Sequence, residues 1–371
     1  MKIVFRADAS LQIGTGHVMR CLTLADALAA RGADCLFICR EHPGNLIEFI
    51  RSKGYDVHAL PSTVQLAEWV DHKTGSSSDK PELAHGHWLG ATQAQDAQAC
   101  ALILSELHPD WLIVDHYALD ARWELALKPY YRKLMVIDDL ADRAHACHVL
   151  LDQTFGRNAE NYRPWVPAEC QLLCGSQYAL LRPEFAALRP YSLRRRSKPR
   201  LQQLLITMGG VDKENATGQV LEALRRCKLP EECCITVVMG MTAPWLDKVR
   251  RQAQGLSWPT SVLVGVKNMA QLMADSDLAI GAAGATSWER CCLGLPTIML
   301  VLADNQHQVA QGLELAGAVQ LLKDPEEIPD RLPDMLNGLL ELPSLQAEMC
   351  EAAARIADGC GVATVIHHLE C

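Results

Sequence analysis

Two glycines stand just ahead of a histidine near the start of the chain, in the run Gly14-Thr15-Gly16-His17. They follow a short apolar run, residues 2–8, and precede a stretch with apolar residues at helical spacing, 16–32. In open parallel sheets ligands bind outside the carboxyl ends of the strands, where glycine turns let them approach the backbone. Gly14 and Gly16 suit such a turn and are candidate substrate contacts. A dinucleotide fingerprint needs a third glycine where Met19 stands, so no NAD site is expected. His17 falls at the positive end of the following helix, which disfavours an imidazolium. An uncharged imidazole is the form a general base needs. The same place also suits a turn or capping histidine, and spacing alone leaves both roles open.

Other polar residues end apolar runs in the same way. Asp115, His116 and Tyr117 close the run 110–117, on the rim expected to carry His17. Asp115 is read either as orienting a histidine or a substrate hydroxyl, or as a buried structural carboxylate. In the second half, Gly209-Gly210 end one strand-like run; Gly281 and Gly284 end another, with Thr286 and Ser287 opening a helix. Two glycine turns feeding helix N-termini form a diphosphate cradle, because free N–H groups and helix dipoles favour anions. Close helix–sheet packing is the alternative. Glu289, one turn further in, is placed to accept hydrogen bonds from ribose hydroxyls. Asp304, Asn305 and Gln306 follow the run 296–302, where they cap a helix or bind sugar hydroxyls.

These residues need two scaffolds. The chain has 371 residues, and at roughly 100–200 residues per domain two domains are expected. Short apolar runs alternate with helical patterns in both halves, which predicts two doubly wound α/β domains with parallel sheets. The basic, proline-containing stretch 189–200 reads as a linker. It separates an N-terminal domain, 1–188, from a C-terminal domain, 201–371. A nucleotide cradle in one domain and a histidine-bearing rim in the other imply a cleft between them, suited to a nucleotide sugar.

Composition narrows the partners. Net charge is −9, with 49% hydrophobic and 21% charged residues, which argues against nucleic acid and anionic membrane surfaces. No apolar run reaches the ~18–20 residues of a membrane span. The 15 cysteines are scattered, an arrangement that fits reduced thiols in the cytoplasm better than a disulfide framework or a zinc site. The polar excursion 71–87 reads as an exposed loop, with His85 and His87 expected to be inert toward metal. No D-x-D run stands out as a clamp for a metal–diphosphate, and Asp115 and Asp120 in "DHYALD" do not have that spacing. No heptad indicates an oligomeric state.

Together, "FRADASLQIGTGHVMRCLTLA", "VDHY", "CGSQYALLRPEF", "TMGGVD", "SWE" and "DNQ" resemble, in order and spacing, the UDP-sugar hydrolases of the pseudaminic acid pathway. That resemblance implies a fold like the GT-B glycosyltransferases and no cofactor. It also implies a reaction in which water attacks the anomeric carbon of a UDP-linked diacetamido sugar, with inversion. By the same resemblance His17 is the base that deprotonates water. Tyr117, Asn305 and Arg182 line the sugar site, and Gly209, Gly210, Ser287 and Glu289 bind UDP. A GT-B glycosyltransferase using a UDP-sugar donor is the alternative.

Overall fold

The structure is a computed structural model. It describes residues 1–62, 83–241 and 243–370. Residues 71–82 of the expected polar loop lie outside the described residues; from Gly86 to Leu89 the chain forms a short 3₁₀ turn.

The chain divides into two compact units. Unit 1 contains Met1–Gln153, Arg157–Tyr178 and the C-terminal residues from Val365; unit 2 contains Thr154–Gly156 and Ala179–Thr364. Unit 1 holds seven strands: β1 (Lys2–Ala7), β2 (Asp34–Arg40), β3 (Asp56–Leu60), β4 (Trp111–Asp115), β5 (Lys133–Ile137), β6 (Val149–Asp152) and β7 (Gln171–Cys174). They pair parallel in the order β3-β2-β1-β4-β5-β6-β7. Unit 2 holds β8 (Gln203–Thr207), β9 (Cys234–Met239), β10 (Thr260–Val264), β11 (Leu278–Ala282), β12 (Thr297–Leu300) and β13 (Val319–Leu322). These run parallel as β10-β9-β8-β11-β12-β13. Both orders reverse direction next to their first strand, the doubly wound arrangement expected from the sequence.

Central strands in such sheets are covered on both faces, which is why they read as continuous apolar runs. In β1, Ile3, Val4 and Phe5 are fully buried. Arg6 is also fully buried there, held by Asp8 at 2.6 Å and Asp96 at 2.8 Å. In unit 2, Leu204, Ile206, Val237, Ile280 and Ile298 form one core with Val220, Leu224, Leu332 and Leu336 of the covering helices. On the opposite face Leu205, Ala279 and Met299 pack against Phe185, Met273, Trp288 and Leu313.

The expected linker is not one. Helix Pro183–Arg196 runs through it and belongs to unit 2, whose boundary lies at Ala179 rather than beyond 188. Arg194 is exposed and Arg195 pairs with Asp277, but Arg189 and Arg196 turn to backbone. Arg189 donates to the carbonyls of Cys292, Ala354 and Ala357 at 2.5, 2.6 and 3.0 Å. Arg196, buried, donates to Met273 O at 2.8 Å, Ser276 O at 2.6 Å and Leu293 O at 3.1 Å. Arginine's planar fork collects carbonyls left over at the ends of neighbouring helices. The C-terminal boundary shifts as well. Helix Gly361–Glu370 ends in unit 1, where Trp111 Nε1 donates to Leu369 O at 3.0 Å.

Candidate active site

In unit 1 the strand order reverses between β1 and β4, and a ligand crevice is expected beyond their carboxyl ends. The register pairs Ala7 of β1 with Asp115, the last residue of β4. After β1 the chain turns back at Gly14, whose N–H donates to Ser10 O at 2.9 Å. Gly14 has φ +79°, a left-handed conformation that favours glycine, whereas Gly16 has an ordinary backbone and opens the helix α1 (Gly16–Ala29). His17 is therefore in the first turn of α1, directly over the end of β4.

His17 Nδ1 lies 2.5 Å from Asp115 Oδ1. Arg20, one turn along α1, grips the same carboxylate with Nε on Oδ2 at 2.5 Å and Nη2 on Oδ1 at 2.7 Å. Asp115 is fully buried. Burial opposes its charge, but Arg20 and His17 outweigh that and hold the carboxyl well below the usual carboxylate range. An ionised Asp115 only accepts hydrogen bonds, so a neutral His17 must donate from Nδ1. That leaves the Nε2 lone pair free, the tautomer a general base requires. Asp115 is at once fully buried, held by Arg20 and hydrogen-bonded to His17, so the geometry accommodates both readings of it.

Tyr117 stands edge-on to His17, with ring centroids 4.6 Å apart. Its hydroxyl donates to Asp139 Oδ1, and Arg20 Nη1 reaches Asp139 Oδ2 at 3.0 Å. Burial and then Asp139 push the Tyr117 phenol well above its ordinary range, so it stays protonated. His116, between Asp115 and Tyr117, is not on this rim. Its Nδ1 accepts from Ala118 N–H at 3.0 Å and its Nε2 lies 3.2 Å from Asp8 Oδ2. It belongs to a buried network with Arg6, Asp8, Arg40 and Asp96 beneath the sheet end.

Arg20 and Asp139 were not singled out in the sequence. Arg20 carried a signal: at i+3 from His17 it shares a helix face with it. Asp139 carried a weaker one, as a carboxylate just past the end of β5.

In unit 2 the corresponding reversal lies between β8 and β11, and the glycine turns follow these two strands. Gly209 has φ +86°. Gly210 is a close-approach partner, for a Cβ on Gly240 would sit 2.0 Å from Gly210 O. Gly281 is a packing glycine, its space filled by Arg290 and by Thr207 O. Gly284 differs: its φ is ordinary and, among the described residues beyond its chain neighbours, no atom lies within 4 Å of a Cβ built on it. Neither backbone strain nor packing against the described residues requires glycine there.

The helix N-termini are not equivalent. Helix Ala216–Leu224 is already capped by its own chain, since Asp212 accepts from Ala216 and Thr217 N–H at 2.8 and 3.0 Å. Helix Thr286–Cys292 has no side-chain cap. Ser287 is fully buried, and its hydroxyl accepts from Arg290 Nη2 at 3.2 Å, so it faces the interior rather than a ligand. Glu289 is brought beside Arg182, with Nη2 to Oε1 at 3.9 Å; Arg182 also pairs with Glu184 at 3.0 Å. Glu289 keeps 18% of its side chain exposed. Burial of the remainder pushes its carboxyl up to about 7, with Arg182 and Arg290 pulling the other way. Asn305 lies in the 3₁₀ turn Asp304–Gln306 after β12. Gln306 serves that turn itself, accepting from Leu302 N–H at 2.9 Å.

Among the described residues no helix is long and apolar enough to cross a membrane, and no group of three or more His, Cys, Asp or Glu is arranged to hold a metal ion.

Comparison with known proteins bears on both units. Residues 203–360 match the glycosyltransferase family 28 C-terminal domain. The chain is 27% identical to the UDP-2,4-diacetamido-2,4,6-trideoxy-beta-L-altropyranose hydrolase of Campylobacter jejuni, over 85% of this chain and 97% of that protein. The resemblance read from the motifs thus extends along most of the chain. The crystal structure of MurG from Acinetobacter baumannii superposes with TM-score 0.66 at 16% identity, covering 100% of this chain and 99% of that one. UDP-GlcNAc 2-epimerase from Neisseria meningitidis, solved bound to UDP-GlcNAc, superposes with TM-score 0.61 at 13% identity, covering 100% of both chains. The fold is that of the GT-B enzymes.

Proposed function

We propose that this chain, a relative of the UDP-diacetamido-sugar hydrolases built on the GT-B fold, hydrolyses a UDP-linked 2,4-diacetamido-2,4,6-trideoxy sugar at its anomeric carbon. The observation that carries the reading is the hydrogen bond of 2.5 Å between His17 Nδ1 and an ionised, buried Asp115, at the point where the sheet of unit 1 reverses. In this reading His17 Nε2 removes a proton from water as its oxygen bonds to C1. The C1–O bond to the β-phosphate breaks, UDP leaves with the electron pair, and the sugar inverts. Asp115 stabilises the imidazolium without taking its proton, and the Arg20 fork keeps Asp115 in place.

UDP is a good leaving group, so one base and donors for the departing diphosphate suffice. General base catalysis is worth roughly 10²–10⁴-fold and preorganised donors a similar factor. Unit 2 supplies the nucleotide side, with Gly209, Gly210 and Gly284 at the diphosphate and Glu289 toward the ribose. Gly14, Gly16, Tyr117, Arg182 and Asn305 are assigned to the sugar and its approach. The free diacetamido sugar then feeds pseudaminic acid synthesis.

The family 28 match favours a second reading, transfer of the sugar to an acceptor. One experiment separates the two: UDP release over a panel of UDP-diacetamido sugars, with neither acceptor nor metal added. Hydrolysis gives many turnovers, abolished in His17→Asn. UDP release only after an acceptor is supplied would assign the chain to transfer.

A further inference from the structure

The segment after the undescribed residues brings two rings to the catalytic rim of unit 1 that the reaction above does not use. Trp88 stacks on Tyr117, with centroids 5.7 Å apart and planes 26° from parallel. His85 fills the angle between them, 4.4 Å from Trp88 and 5.3 Å from Tyr117. Both are only half-buried, unlike Tyr117, and burial holds the His85 imidazole below its ordinary range, toward the uncharged form. The rim beside His17 is therefore aromatic on one side.

Tyr117 adds a polar constraint. Its only proton is committed to the Asp139 carboxylate, which accepts and cannot donate. What remains on the phenolic oxygen is acceptor capacity alone. A hydroxyl on a ligand can adapt to either kind of partner; an amide N–H can only donate. In a trans secondary amide the N–H lies opposite the carbonyl oxygen and on the same edge as the acyl methyl. An acceptor-only oxygen bordered by flat apolar rings is complementary to that edge.

The geometry points to Trp88, with His85 and the Asp139-bound Tyr117, as a specificity-determining corner that takes the N–H and methyl edge of one acetamido group of the sugar. This rests on the UDP-sugar reading of the site and adds which feature of the sugar is read. Trp88's ring contacts are with His85, His87 and Tyr117, and an indole N–H is not a base, so its part is in selection rather than in proton transfer. A methyl's worth of apolar contact discriminates by roughly 10–200-fold, so a factor of about ten or more is expected from this corner.

The test is binding, made in a His17→Asn background so that no ligand turns over. Dissociation constants are measured calorimetrically for UDP, for the UDP-diacetamido sugar, and for its two analogues lacking one acetyl group each. With Trp88 present, removal of one particular acetyl group weakens binding about tenfold or more. With Trp88→Ala the same removal costs less than about threefold, UDP binding is unchanged, and Trp88→Phe restores most of the discrimination. Equal acetyl dependence with and without Trp88, or none in either, overturns the corner. Because binding is read without turnover, loss of the hydrolase reading shows separately, as absence of UDP release by the protein that retains His17.

Discussion

Replacing Asp115 by Asn tests how the base is prepared, and the outcome follows from counting acceptors. The carboxylate uses Oδ1 for His17 Nδ1 at 2.5 Å and Arg20 Nη2 at 2.7 Å, and Oδ2 for Arg20 Nε at 2.5 Å. An amide offers one oxygen. If it faces His17, the NH₂ meets Arg20 Nε–H, donor against donor, inside the protein. If it faces Arg20, the NH₂ meets Nδ1, which must then accept, and the imidazole proton moves to Nε2. In the second arrangement the ring can no longer deprotonate water. A wrong tautomer forfeits most of the general-base contribution, so kcat is expected to fall ~10²–10⁴-fold. Stability falls too, by up to about 3–5 kcal/mol, because Arg20 loses half of a buried ion pair. The assay is steady-state UDP release, with kcat referred to the folded fraction from thermal unfolding. Asp115→Asn and His17→Asn should be strongly non-additive, the double variant resembling His17→Asn alone, because the pair acts as a unit. A correctly folded Asp115→Asn protein with kcat within about threefold of the parent would refute the reasoning.

Three further outcomes are expected. Below about pH 7 Glu289 is largely protonated and above it ionised, so UDP affinity should strengthen as pH rises through 7 if the carboxylate accepts from ribose. Measured calorimetrically beside Glu289→Gln, which lacks this carboxyl while UDP's own ionisation stays common to both profiles, the parent should gain about tenfold more than the variant. Gly284→Ala should leave the melting temperature nearly unchanged, since its Cβ meets nothing within 4 Å, yet weaken UDP binding about tenfold or more. Arg196→Met should cost on the order of 3 kcal/mol in chemical denaturation, because the carbonyls of Met273, Ser276 and Leu293 lose their donor.

Much of the site was legible because parallel strands announce themselves twice. Their apolar runs locate the sheet, and the polar residue that ends each run locates the ligand rim. Asp115 ends, and His17, Tyr117, Gly209 and Gly284 follow, the strands that flank the two reversals. What failed to show depended on side-chain direction and on long-range contact. Asp115 and His116 are adjacent in sequence, but alternation sends one to His17 and the other to Asp8. Ser287 opens the right helix and faces the wrong way. The segment 189–196 has a linker's composition, yet Arg189 and Arg196 bind carbonyls about 80–170 residues away, which no local pattern reveals. Short strands such as β6 and β7 carry too few residues for a period to stand out.

In the proposed reaction a water oxygen becomes bonded to the sugar, under a base that Asp115 orients. Turnover of the cognate UDP-diacetamido sugar in ¹⁸O-labelled water, followed by mass spectrometry of both products, reads that bond directly. Attack at C1 puts the label in the free sugar and none in UDP, with no turnover without the imidazole of His17. Label in the β-phosphate of UDP would contradict it, because attack would then be at phosphorus.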